Sequence, residues 1–244
     1  MRAIFYLLLL LMTSVRMRAA ETIFGGNGVI AYLLDGDSWK TVITVVNLDD
    51  TAASFTLKFY SSNGNALSLA TNLGAASSFT RNLSAHGAVT IETAGTKPSM
   101  SQGWAIVETT ATLGGTAIFR RTVPGQAILE SSEPLDTGLN YRYALPFDHF
   151  GGSGTGLSLV NPSIVPASVT LLFRDEAGVQ LMQDSFPLPA LNNLAFTVAE
   201  RYPQLLGKRG TFEIFTPEWI NALAVHVTPS GTFTAITPLV SWRW

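Results

Sequence analysis

Two pairs of aspartates near the start of the chain could supply ligands to a metal ion. Asp35 and Asp37 flank a glycine, and Asp49 and Asp50 are adjacent. Carboxylate oxygens at short spacing are the ligands that Ca²⁺ takes. The same residues also form turns, because a short acidic side chain accepts hydrogen bonds from nearby backbone N–H groups. We favour the turns, with a calcium site as the alternative, and expect no other cofactor.

A second set of residues could carry out hydrolysis. Asp148, His149 and Ser153 are the residue types of an acyl-transfer triad. No G-x-S-x-G sequence places a serine on a nucleophile elbow, so the pattern favours a loop. Glycoside hydrolysis needs two carboxylates that face each other, and no spacing pairs the available glutamates, which are Glu92, Glu108, Glu200 and Glu213. A secreted hydrolase is therefore our third-ranked hypothesis.

Two tryptophans are candidates for binding a ligand. An exposed aromatic ring can stack on a sugar or fill a pocket of a partner. Trp104 lies in an alternating segment, on the face opposite Ala105 and Val107, and Trp39 follows Asp37 in a loop. Ile106, on the same face as Trp104, is also apolar. This pattern favours packing of Trp104 between domains over stacking on a ligand. A carbohydrate-binding module that uses these two residues is our second hypothesis.

The composition argues against several other functions. The chain has no cysteine, which excludes disulfides, thiolate metal sites and cysteine nucleophiles. Its three histidines are far apart in the sequence and do not favour a transition-metal site. Without residues 1–20 the charge is 12 − 17 = −5, and no basic stripe is present. Nucleic acid is therefore not an expected partner.

The elements that position these residues follow from an internal repeat. ASFTLKFYSSNGNAL returns as ASVTLLFRDEAGVQL at an offset of 114 residues, and GWAIVETTATLGGTAIF aligns with GTFEIFTPEWINALAVH at an offset of 107. A period this long predicts two domain-sized units, because solenoid repeats are only about 20 to 50 residues long.

The repeated segments have the alternation of β-strands. Phe55, Leu57 and Phe59 share one face, and glycine at Gly64 and Gly178 suits a tight hairpin turn. Helix signals are nearly absent, and the one candidate, residues 199–206, contains a proline. We therefore predict an all-β protein with two tandem antiparallel β-sandwich domains, at residues 21–134 and 135–244, that arose by an internal duplication.

The first twenty residues predict a signal peptide. A basic residue, an apolar stretch of about ten residues and a small-residue end at Ala19 and Ala20 are its three parts. The stretch is shorter than the roughly twenty residues that a transmembrane helix needs. We expect cleavage after Ala20, an extracellular or cell-surface location, and no membrane span after the signal is removed.

The segments VVNLDDTAASFTLKFYSSNGNAL and LVNPSIVPASVTLLFRDEAGVQL resemble the uncharacterised Ig-like β-sandwich repeats of exported bacterial surface proteins. The resemblance covers most of residues 28–240, and it implies an extracellular sandwich with no catalytic residues to assign. Together these patterns favour a non-catalytic structural or adhesive module, whose partner is a surface protein or a polysaccharide.

Overall fold

The computed structural model describes residues 27–138 and 140–240, so the predicted signal peptide lies outside the described residues. The protein is all-β, as predicted. Its first ten strands are β1 (Gly28–Asp35), β2 (Trp39–Asn47), β3 (Ala53–Ser61), β4 (Leu69–Thr71), β5 (Gly74–Ala76), β6 (Ser78–Leu83), β7 (Ala88–Glu92), β8 (Ser101–Thr109), β9 (Leu113–Arg121) and β10 (Leu129–Pro134). The other eight are β11 (Asn140–Asp148), β12 (Gly154–Val160), β13 (Ala167–Asp175), β14 (Gln180–Leu188), β15 (Asn193–Thr197), β16 (Arg209–Val227), β17 (Phe233–Ile236) and β18 (Leu239–Val240).

In the first half of the chain, two antiparallel sheets enclose one apolar core. Their strand orders are β1-β8-β3-β6 and β10-β9-β2-β7, and β4 pairs with β5 in a small hairpin. Phe55, Leu57 and Phe59 of β3 meet Ile43 and Val45 of β2 in this core. The predicted alternation of β3 is confirmed, since buried and accessible residues alternate along it. Packing of two such faces gives a sandwich-like architecture.

In the second half, one long strand joins two sheets. The first part of β16 pairs with β11 and β13, and its last part pairs with β12 and β17. Strand β14 extends the first of these sheets and β15 extends the second. Phe173 and Phe212 from one sheet and Leu159 and Ala222 from the other share a second core.

The pairing of the strands in the second half repeats that in the first half. Strands β8 and β9 take the places that the two ends of β16 take later in the chain. Four cross-strand pairs show the match, namely Leu57 with Val107, Leu171 with Ile214, Val45 with Gly115 and Leu159 with Ala222. The offsets of 114 and 107 residues therefore relate equivalent pairs in space. Descent of both halves from one duplicated unit stays a prediction.

The repeated Val-Asn pair has a local structural role. Asn47 Nδ2 donates to the carbonyl of Thr51 at 2.7 Å, and Asn161 Nδ2 donates to the carbonyl of Val165 at 2.8 Å. Both asparagines are buried, Asn47 as the last residue of β2 and Asn161 directly after β12. Each amide satisfies a carbonyl of the turn that follows its strand, because a buried polar group without a partner is costly.

Helical structure is as short as the sequence predicts. α1 (Val198–Arg201) has four residues and is followed by a 3₁₀ turn at Pro203–Leu205. No helix in the described part of the chain has the length and apolar character needed to cross a membrane.

Candidate binding cleft at the junction of the two halves

A third apolar cluster lies where the two halves meet. Its buried members from the first half are Val29, Ala31, Trp104, Ile106 and Phe119, and those from the second half are Val160 and Leu223. The backbone of Asp136 still pairs with that of Val29 in the first half. The predicted domain boundary after residue 134 stays a prediction. The halves therefore share a packed contact in addition to their own cores.

A β-bulge in β1 supplies polar contacts at the junction. Ile30 lies opposite Ala105 and Leu33 opposite Gly103, so one extra residue is accommodated between them. The carbonyl of Ala31, in this bulge, accepts hydrogen bonds from Ser158 Oγ at 2.7 Å and from Asn193 Nδ2 at 3.2 Å. Both donors belong to the second half.

The corresponding segment of β11 has regular pairing with β16 from Arg142 to Asp148. Strand β11 has its own register shift, between Asn140 and Arg142, outside this regular segment. A bulge at this position is therefore a feature of β1, and its backbone atoms take part in the contact between the halves. A bulge leaves backbone groups outside the ladder, which is why a neighbouring surface can bind them.

Trp104 is fully buried at this junction. Its indole stacks on Tyr60 with 4.6 Å between ring centroids, and its Nε1 donates to the carbonyl of Leu191 at 3.0 Å. The predicted alternation holds here, because Ala105 and Val107 belong to the core of the first half. Trp104 therefore packs between the halves and offers no free ring face to a ligand.

Beside this contact the halves diverge and form a cleft of about 500 Å³. Its volume lies in the range of roughly 300–1,000 Å³ that is typical of small-molecule sites. Most of the lining is aromatic or aliphatic and comes from both halves. This lining includes Tyr32, Trp39, Met100, Phe196, Val225 and Phe233.

Trp39 is the predicted binding residue that does reach this cleft. It is half-buried, and its ring lies 5.1 Å from that of Phe233, centroid to centroid. The guanidinium carbon of Arg121 lies 5.8 Å from the indole centroid, in cation–π contact. Trp39 pairs with Arg121 across strands β2 and β9, which fixes the position of both side chains.

Two exposed charges of opposite sign line the cleft. Arg121 comes from the first half and Glu200, in α1, comes from the second. Neither takes part in an ion pair found among the described residues. Neither charge is therefore neutralised by a counter-ion among these residues, and the guanidinium of Arg121 contacts the ring of Trp39.

A smaller cavity of about 240 Å³ lies at the junction, and it contains two carboxyl groups. Glu133 is buried and accepts a hydrogen bond from the backbone N–H of Tyr32 at 3.3 Å. Burial raises the pKa of Glu133 well above its ordinary value, and the negative charge of Asp136 raises that pKa further. Asp136 itself accepts from Asn221 Nδ2 at 2.8 Å.

The four aspartates proposed for calcium are not brought together. Asp35 and Asp37 lie at one end of β2, and Asp49 and Asp50 lie beyond its other end. Asp35 Oδ1 accepts the N–H of Gly95 at 2.7 Å. Strand β2 has nine residues and separates the pairs by about 30 Å.

The second aspartate pair is also engaged in local contacts. Asp49 Oδ2 accepts the N–H of Thr112 at 2.8 Å, which lowers the pKa of Asp49. Asp50 Oδ1 lies 2.9 Å from His86 Nε2. No cluster of three metal-ligating acidic or histidine side chains occurs in residues 27–138 and 140–240.

The hydrolase candidates are near one another in sequence but do not form a relay. Asp148 Oδ1 accepts the N–H of Phe150 at 2.8 Å. His149 is buried, its Nδ1 lies 3.3 Å from the carbonyl of Leu205, and its Nε2 has no partner. Burial lowers the pKa of His149. No hydrogen bond links Ser153 to His149 among the described contacts.

The candidate glutamates of glycoside hydrolysis are distributed over different surfaces. Glu92 pairs with Lys40 at 2.6 Å, and Glu108 pairs with Lys58 at 2.7 Å. Glu213 lies between Arg142 and Arg174. Glu200 is the one of the four that lines the cleft. No two of these carboxylates face each other across that cleft.

The sequence did not identify the residues that complete the cleft. Tyr32, Phe233 and Arg121 come from strands of different sheets, and only the packing of the halves brings them beside Trp39. The adjacent Arg120 and Arg121 are visible in the sequence, but Arg120 instead pairs with Glu130 on the surface of its own sheet.

Neither the protein-family models nor the curated proteins compared with this chain give a match. Function therefore has to be argued from the site itself.

Proposed function

We propose that the protein is an exported, non-catalytic interaction module of the cell surface or of a secreted assembly, and that it binds its partner in the cleft between its halves. The observation that carries this proposal is the cleft itself, with its apolar lining and its charges on both walls. Concave apolar sites with a few polar groups are the usual form of a binding site.

The junction beside the cleft supports the proposal. Ser158 and Asn193 of the second half bind the carbonyl of Ala31, and the buried Trp104 binds that of Leu191. These contacts hold the two walls in one orientation, so that a ligand does not have to order them. Preorganised walls of this kind lower the free-energy cost of binding. The likeness to Ig-like repeats of surface proteins favours the same class of function.

The test is a photo-crosslink from inside the cleft. Met100 is 45% exposed and lines the cleft, so a photo-reactive amino acid at this position should report what binds there on intact producing cells. We expect an adduct that disappears in Phe233→Ala. The same label at Ile164, which is 62% exposed and does not line the cleft, is the control. Equal adducts at both positions would contradict the proposal.

A carbohydrate-binding module is the second candidate, because Trp39 is partly accessible in the cleft. Under this alternative, a glycan array gives clear binding that Trp39→Ala removes. Phe233 and Arg121 already contact the indole, which leaves less of its plane for a sugar ring. We therefore rank this function below interaction with a protein.

A further inference from the structure

We infer that the ligand of the cleft is an extended peptide segment of a partner protein, with an apolar side chain between the two walls and side chains of opposite charge that reach Arg121 and Glu200. This inference rests on the proposed function, since it assumes that the cleft is the binding site.

The lining determines the central part of this ligand. Tyr32, Trp39 and Phe233 surround a space whose remaining lining includes aliphatic residues such as Val225. An aromatic or aliphatic side chain there removes its apolar surface from water, which favours binding. A fully polar ligand would lose its hydration in this space without equivalent partners.

Apart from the two charges, the cleft has few polar side chains, and two of these are already hydrogen-bonded. Ser158 Oγ donates to the carbonyl of Ala31, and the hydroxyl of Tyr32 donates to Gln102 Oε1 at 3.2 Å. A sugar carries hydroxyl groups around its whole ring and needs several partners for them. The cleft therefore favours a peptide over a carbohydrate.

A sheet edge lies beside the cleft and can bind a peptide backbone. Among residues 27–138 and 140–240, strand β15 pairs with β12 and with no second strand, and its residues Ala195, Phe196 and Thr197 line the cleft. The N–H of Asn193, at the start of β15, is bound to the carbonyl of Ser62. An extended segment can add to such an edge through backbone hydrogen bonds, while pockets select its side chains.

The charges on the walls determine the ends of the segment. Arg121 projects from the first half and Glu200 from the second, so the cleft is positive on one side and negative on the other. A segment with one acidic and one basic residue complements both charges. Such complementarity contributes mainly to specificity and to the orientation of the ligand.

The experiment uses three capped five-residue peptides and titration calorimetry with the full chain. Each peptide has phenylalanine at its centre and valine on both sides. The first has glutamate and lysine at its ends, the second has these charges exchanged, and the third has glutamine at both ends. We expect at least one charged peptide to bind more tightly than the neutral one.

Variants connect binding to the cleft. Arg121→Gln and Glu200→Gln should each weaken the preferred charged peptide about two- to fivefold, as expected of exposed ion pairs, and leave the neutral peptide unchanged. Phe233→Ala and Met100→Ala should weaken all three peptides, Phe233→Ala by about tenfold or more. Ile164→Ala, which alters an exposed residue outside the cleft, should have no effect.

Two results would overturn the inference. One is binding of cellohexaose or chitohexaose that depends on Phe233, without binding of any peptide. This result would show that the ligand of the cleft is a sugar, while the proposal that the cleft is the binding site would still hold. The inference would also fail if the unaltered protein bound the charged and neutral peptides equally well and Arg121→Gln did not change either affinity. Such a result would show that the charges do not contribute to binding. Met100→Ala keeps the test valid if Phe233→Ala fails to fold, since the side chain of Met100 is 45% exposed and is not part of a buried core.

Discussion

At the scale of single residues, the buried carboxyl group of Glu133 affects the stability of the folded protein. Glu133 is a carboxyl group within the junction, bound to the backbone N–H of Tyr32 in the bulged strand. The bond to Tyr32 opposes the rise in the pKa of Glu133, but the effect of burial is larger. The folded protein therefore keeps a proton on Glu133 at pH values at which the unfolded chain has lost it.

This proton determines how stability depends on pH. Above the ordinary glutamate pKa of about 4.3, the folded state binds more protons at Glu133 than the unfolded state does. The free energy of unfolding therefore falls as pH rises from that value toward the raised pKa of the folded state. We expect Glu133→Gln to lose this part of the pH dependence and to exceed the unaltered protein in stability at neutral pH. Urea unfolding between pH 4 and pH 8 measures both effects.

Glu130→Gln is the matched control for this prediction. Glu130 is on the same strand, but it is exposed and paired with Arg120. Its substitution removes a carboxyl group from the same strand without changing the buried one. Parallel pH profiles for Glu133→Gln and the unaltered protein would contradict the assignment.

The two equivalent asparagines give a second prediction at this scale. Asn47→Ala and Asn161→Ala each remove a buried amide that binds a carbonyl of the following turn, at a cost of about 0.5–1.5 kcal/mol for each hydrogen bond lost. We expect both variants to lower the unfolding free energy by comparable amounts, measured by denaturant unfolding. Asn65→Ala, at an exposed position, is the control. A loss in one variant and none in the other would show that the two turns are not equivalent.

At the scale of the strands, close backbone contacts explain why glycine occurs at both Gly103 and Gly210, the first residues of the second pair of aligned segments. A Cβ atom at Gly103 would lie 1.9 Å from the carbonyl oxygen of Tyr60, and one at Gly210 would lie 2.0 Å from that of Arg174. Tyr60 and Arg174 are themselves 114 residues apart. Both glycines are therefore needed where β8 passes β3 and where β16 passes β13.

We expect Gly103→Ala and Gly210→Ala each to lower the free energy of unfolding by about 1–3 kcal/mol or more. The added Cβ atom would clash with backbone atoms of the neighbouring strand, which cannot rotate away as a side chain can. Thermal and denaturant unfolding measure this loss. Gly154→Ala is the control, since a Cβ atom there would meet no atom within 4 Å. A Gly103→Ala variant as stable as the Gly154→Ala variant would contradict the close approach of the strands.

At the scale of the whole molecule, the junction packs the two halves of the chain against each other. Trp104 contributes its stacked ring and its bond to Leu191, and each half buries residues against the other. The cleft exists because this contact covers only part of the facing surfaces. Stability of the junction and geometry of the cleft are therefore linked.

Trp104→Ala should separate the unfolding of the halves. Removal of the indole lowers the free energy of unfolding by about 3–5 kcal/mol, mainly by weakening the contact between the halves. We expect a single calorimetric transition to become two, whereas Phe150→Ala, at an exposed ring, keeps one transition. If the transition of Trp104→Ala stays single and at its original temperature, the halves do not rely on this contact.

The alternation of apolar residues and the repeat by themselves determined the strands, their inward faces and the equivalent turns. These features depend on local spacing, because the period of a strand is two residues and each strand carries its own pattern. Phe55, Leu57 and Phe59 could therefore be placed without any knowledge of their partners.

Only the tertiary structure decided what happens between the halves. The bulge in β1 is invisible in the sequence, because Ala31 and Tyr32 are ordinary strand residues until their opposite strand is known. The same holds for the burial of Trp104, the separation of the aspartate pairs and the cleft around Trp39. Each depends on which surfaces meet across distant parts of the chain, and that meeting is set by the packing of whole sheets rather than by neighbouring residues.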